Sequence, residues 1–164
     1  MKIDKLESEM STMQNQQYQN ILVGIDGSET SMRALDKAID AAIRNQAKLY
    51  IAQVLKPQLS TVGRASMGFG VVETDIDDES RLKEQKQLLD DVVAQAKDKG
   101  VKDVTSIVKI GNPREELARN IQQAQKIDLI YIGATGANRV AQMFLGSNTT
   151  YILENSIADV MVVR

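Results

Sequence analysis

Five short apolar runs separated by helical patterns constrain this chain more than any other feature: Ile21 to Ile25, Leu49 to Val54, Thr105 to Ile110, Ile127 to Ile132, and Val160 to Val163. Most are continuous rather than alternating in polarity, as expected of strands covered on both faces in a parallel sheet. Between them Met32, Leu35, Ile39, Ala42 and Ile43 recur at helical spacing, with Ser28 as N-cap ahead of Glu29. Leu82, Leu89, Val92, Val93 and Ala96 form a second stripe, closed by Gly100. Asn112 and Pro113 open a third helix with Glu115 as the reaching carboxylate, so that Leu117 and Ile121 face the core; a fourth, shorter helix runs from near Ser147 to about Glu154. Strands alternating with helices imply right-handed crossovers, hence a doubly wound α/β fold with helices on both faces.

At 164 residues the chain suits one domain. Residues 1–17 read as a polar arm, either a loose tail or a short surface helix, ahead of a domain over 18–164. Lys56 to Asp77 holds Pro57, Gly63, Gly68 and Gly70 and is long for a connection in a compact domain, so it is either a lid or an irregular excursion.

Composition narrows the chemistry. Histidine is absent, which excludes triad hydrolysis that needs an imidazole base. Cysteine is absent too, so neither a disulfide nor a thiolate metal site forms, and the chain suits a reducing compartment. The net charge of −2 is spread over mixed signs without a basic stripe, so nucleic acid is not an expected partner. No apolar run approaches the roughly 20 residues that span a bilayer, and no secretory h-region opens the chain. No membrane association and a cytoplasmic location are expected.

The fourth run ends in Ile132 and Gly133, and the chain continues GATGANRVAQMFLGSNTT: Gly133, two residues, Gly136, nine residues, Gly146, Ser147. Glycines at a strand end let a ligand approach the backbone. Ser147, Asn148, Thr149 and Thr150 then stand where a helix starts, with free N–H groups, hydroxyls and the positive end of the dipole converging as phosphate requires. By chemistry alone, two turns and an N-cap fit the same residues. A G-x-x-x-x-G-K-[ST] loop is missing, Gly24 and Gly27 do not complete G-x-G-x-x-G, and Asp26 lacks the acidic neighbour a phosphoacceptor domain needs.

Taken with NILVGIDGSETSMRAL near the start and ADVMVVR at the end, the segment resembles the universal stress protein family over about Tyr18 to Arg164. Its glycine spacing is similar to the hallmark of that family's ATP-binding branch. The resemblance implies a five-stranded parallel sheet in the order 3-2-1-4-5, with Asp26 facing Gly133 across a topological switch point. It implies ATP, or AMP or ADP, with Mg²⁺. Gly24, Ile25 and Asp26 would meet the adenosine half, and Val54 the adenine through its backbone. Gly133 and Gly136 would line the ribose and α-phosphate, Gly146, Ser147, Asn148 and Thr149 would hold the phosphates, and Ile132 counts among the ATP-binding residues. Asp26 would orient the ribose or help place Mg²⁺, unless it is simply a turn residue beside the Ser28 cap. Arg139 either reaches a terminal phosphate or is surface charge. Gln53 departs from the family's common histidine, with little consequence expected because the neighbouring backbone makes the contact. The resemblance further implies a homodimer through the last strand, Asp159 to Arg164, and a nucleotide-dependent regulator acting on a protein partner. A slow ATPase or phosphoryl-transfer enzyme and a nucleotide-free dimeric scaffold are the rival readings.

Overall fold

The computed structural model describes residues 18–57, 78–136 and 145–164. The predicted arm, most of the long connection after Lys56, and Arg139 lie outside these residues. The elements are β1 (Asn20–Gly24), α1 (Glu29–Asn45), β2 (Lys48–Leu55), α2 (Asp78–Asp98), β3 (Val104–Ile110), a helical segment α3 over residues 113–125, β4 (Leu129–Gly133), α4 (Ser147–Asn155) and β5 (Asp159–Val163). Every strand pair is parallel, and the order is β3-β2-β1-β4-β5.

The sheet is buried on two sides, as its continuous apolar strands require. Side chains alternate across β1: Ile21 and Val23 join one core with Ala34, Leu35, Ala38 and Ile39 of α1 and Leu89 and Ala96 of α2. Leu22 joins the other, with Tyr50, Leu117, Ala118, Ile121 and Ile152. Among the described residues, no helix is long and apolar enough to cross a membrane.

Strand ends shift slightly from the sequence reading. Asn20 opens β1 although polar, because its N–H is held by the Asp128 carboxylate and it pairs with Lys48. Ile127 precedes β4, its N–H bonded back to Gln122 O as the preceding helix ends. Two members of the first predicted stripe are misplaced: Met32 and Ile43 are 39% and 41% exposed. The buried stripe of α1 is built instead on Ala34, Ala38, Ala41 and Ala42 with Leu35 and Ile39. In α2 only Leu89 and Ala96 are fully buried.

The caps follow the predicted chemistry. Ser28 Oγ accepts from Ser31 N, and Asn112 Oδ1 accepts from Arg114 N with Pro113 at the first helical position. Gly100 adopts φ +112°, a left-handed conformation that favours glycine just past a helix. The third helix departs from a simple α-helix: Glu116–Asn120 is a π-helical turn between Pro113–Glu115 and Ile121–Gln125. Buried Gln122 stabilises this region. Its amide nitrogen donates to Leu117 O (2.8 Å) and Ser156 Oγ (3.0 Å), while its oxygen accepts from Ile157 N (2.9 Å) and Ala158 N (3.0 Å). All four hydrogen-bonding positions of the amide are therefore used, which makes burial affordable.

Candidate functional site

Because β1 leads outward to β2 while β4 lies on its other side, the carboxyl ends of β1 and β4 open a crevice at the point where the winding reverses. A cleft of about 540 Å³ lies there, within the usual size range for small-molecule sites. The structure brings to it Gly24, Ile25, Asp26, Val54, Ile132, Gly133, Gly136, Gly146, Ser147, Asn148 and Thr149.

The two ends of the glycine segment are tied together. Gly146 N donates to Ala134 O (2.8 Å), Ala134 N donates to Val163 O (2.7 Å), and Thr149 Oγ1 donates to Gly133 O (2.8 Å). The start of α4 is thereby fixed beside the end of β4. The first intrahelical bond runs from Thr150 N to Gly146 O, so the N–H groups of Ser147, Asn148 and Thr149 precede the ladder; Gly146 supplies no side-chain cap. Three backbone donors and the positive end of the helix dipole therefore border the cleft.

The start of α1 forms an adjacent wall. Asp26 Oδ1 accepts from Ser28 N (3.0 Å), and Gly27 between them takes φ +79°, so Asp26 does act as a turn residue while also lining the cleft. Thr30 Oγ1 (2.5 Å) and Ser28 Oγ (3.4 Å) both donate to Thr135 O and fasten this wall to the glycine segment.

Asp26 and Gly133 line the same crevice, and each packs against a different neighbour. The space a Cβ would take at Gly133 is filled by α1, with Thr30 Oγ1 at 2.7 Å and Ser31 N at 2.8 Å. Asp26 lies against Gly136, where a Cβ would come 3.0 Å from Oδ2. Gly133 is thus a packing glycine, and Gly136 is the one that keeps the cleft open beside the carboxylate. The Thr149 hydroxyl donates to Gly133 O, so what Thr149 offers the cleft is its backbone N–H.

Several lining residues had no local sequence signal. Lys56, which follows β2, borders the cleft together with Ser31, Pro113, Leu117, Thr135 and Ile152. The end of β2 is joined to the turn before α3 through Gly111 N and Leu55 O (2.8 Å). Arg114 Nε then donates to Asn148 Oδ1 (3.1 Å), linking the starts of α3 and α4. Below this link Lys109 Nζ meets Glu116 Oε2 at 2.8 Å, and Asn120 donates to the other carboxylate oxygen. Burial works to raise the Glu116 carboxyl, but these hydrogen bonds and the Lys109 charge outweigh it and hold it below the ordinary carboxylate range. Among the described residues, no cluster of three or more histidine, cysteine, aspartate or glutamate side chains suits a metal ion.

The model of the Universal stress protein family matches residues 17–164. A curated relative from Staphylococcus haemolyticus that carries the universal stress protein name is 31% identical over 147 residues, covering 90% of this chain and 85% of its own. Among solved structures, a universal stress protein from Lactobacillus plantarum is similar with a TM-score of 0.70 and 25% identity, over 92% of this chain and all of its own. A universal stress protein in complex with cAMP is similar with a TM-score of 0.64 and 27% identity, over 90% of this chain and 97% of its own.

Proposed function

The chain belongs to the universal stress protein family, and from that premise we propose that its cleft holds an adenine nucleotide: ATP, or AMP or ADP in its place, with Mg²⁺ beside the phosphates. The observation that carries the reading is the start of α4, where Ser147, Asn148 and Thr149 offer N–H groups ahead of the helical ladder. Gly136 and Gly146 border the same space without side chains of their own. The solved relative bound to cAMP supports the ligand class by similarity.

The residues fit the ligand in its parts. Val54 and Ile132, with Leu117 and Ile152 beside them, offer an apolar bed for the base. Gly24, Ile25 and Asp26 border the adenosine half, and Gly133 contributes its backbone. One carboxylate near a polyphosphate suits Mg²⁺, which is held largely by phosphates and water and needs no protein cage. Asp26 fills that place, or that of a ribose partner. Arg139, which the sequence places between Gly136 and Gly146 and which lies outside the described residues, is an additional phosphate ligand in this account.

Holding rather than consuming the nucleotide is the activity these groups favour. The chain has no histidine, and the hydroxyls of Thr149 and Thr150 are donated to Gly133 O and Gly146 O. We read the protein as a nucleotide-dependent cytoplasmic regulator of the stress response, dimeric through β5. At that sheet edge Met161 is 47% exposed and Ile157 just before the strand 62%, apolar surface that a second copy would cover. The test is acid release: denatured, freshly purified protein should yield adenine nucleotide by mass spectrometry, and sedimentation should give a dimer. Protein that carries no nucleotide and takes up none from Mg-ATP overturns the reading.

A further inference from the structure

Two helix starts meet at the mouth of the cleft, and the link between them has a polarity that chemistry determines. A guanidinium only donates, so the Asn148 atom facing Arg114 Nε is its carbonyl oxygen, at 3.1 Å. Asn148 lines the cleft and keeps its two amide N–H groups uncommitted among the described residues. Among the described residues Arg114 spends only Nε, so the fork of its terminal nitrogens also remains for a ligand. Its backbone is held in turn, because Arg114 N donates to the Asn112 cap at 3.2 Å and Pro113 borders the cleft.

Donors at Ser147, Asn148 and Thr149 serve whatever phosphate reaches the α4 start. Arg114, half-buried and bonded to Asn148, is not itself among the cleft-lining residues, so its positive charge stands beyond the α4 start rather than inside the cleft. Building on the nucleotide reading above, we propose that Arg114, acting with Asn148, senses the outer phosphates and biases the cleft toward a nucleoside tri- or diphosphate over a monophosphate or cyclic phosphate. Charge-assisted contacts of this kind are about twice as strong as neutral ones, and the gain appears only for ligands long enough to reach them.

Titration of the full chain with ATP, ADP, AMP and cAMP, in Mg²⁺, tests this in three variants. Arg114→Ala should weaken ATP binding about tenfold or more while AMP and cAMP stay within about twofold. Arg114→Lys should recover only part of the loss, since an ammonium lacks the planar fork. Asn148→Asp should keep the Arg114 partner and the fold, because an acidic residue suits the first turn of a helix, yet lose ATP affinity by charge repulsion. If Arg114→Ala leaves ATP affinity unchanged, or weakens AMP by the same factor and lowers the melting temperature, Arg114 is a structural link and the inference fails alone. If the unaltered chain binds none of the four nucleotides, the parent reading falls and this one with it.

Discussion

Gly133 and Gly136 belong to one sequence motif, yet the structure separates their roles, and alanine substitutions distinguish them. At Gly133 a Cβ would meet Thr30 Oγ1 at 2.7 Å, Ser31 N at 2.8 Å and Thr30 C at 2.9 Å; two of the three are backbone atoms of the first turn of α1. A side-chain end rotates away, but backbone must be pushed off the sheet, straining the bonds that Ser28 and Thr30 make to Thr135 O. Overpacking of this kind costs about 1–3 kcal/mol, and the upper half of that range applies when backbone must yield. For a chain of this size about 2–3 kcal/mol lowers Tm by roughly 4–12 °C. At Gly136 the single close atom among the described residues is Asp26 Oδ2 at 3.0 Å, a side-chain atom, so alanine there should lower Tm by no more than about 2 °C. Thermal unfolding followed by circular dichroism measures both. Equal melting temperatures for Gly133→Ala and the unaltered chain, or equal losses in the two variants, would refute the reasoning. Gly136→Val goes further: it should fold and lose nucleotide affinity.

Gln122→Met keeps the side-chain volume but leaves Leu117 O, Ile157 N and Ala158 N without their partner, so urea unfolding should show a loss of roughly 2–4 kcal/mol; a loss under about 1 kcal/mol contradicts the clamp. Glu116 has its folded pKa held low, so the stability it contributes is present above the unfolded value and is lost as pH falls through the folded one. The stability gap between the unaltered chain and Glu116→Gln should therefore be widest near pH 7 and close between about pH 5 and pH 3; a gap that widens toward acid reverses the assigned sign.

The strands and their layers were legible because burial on both faces leaves an unmistakable apolar run, as at Ile21 to Val23 or Leu49 to Ala52. The face of α1 was less so. A stripe drawn by size picks out Met32 and Ile43, whereas the helix approaches the sheet on its alanines, which carry little apolar signal. The π-turn at Glu116–Asn120 has no pattern of its own in one sequence; it accompanies the tertiary bonds of Lys109 and Gln122. The glycine segment stood out because its residues are contiguous. Lys56 and Arg114 did not, since topology delivers them from the ends of β2 and β3; scanning every strand's carboxyl end for cations would have found both. The separate duties of Gly133 and Gly136 depend on where α1 packs, which no spacing encodes.

The central claim, that this cleft holds an adenine nucleotide, is most directly tested by calorimetric titration of nucleotide-stripped protein with Mg-ATP. The account predicts saturable binding at one site per chain that Gly136→Val abolishes without unfolding the protein. Absence of binding by the stripped, folded chain, or binding unaffected by Gly136→Val, would contradict it.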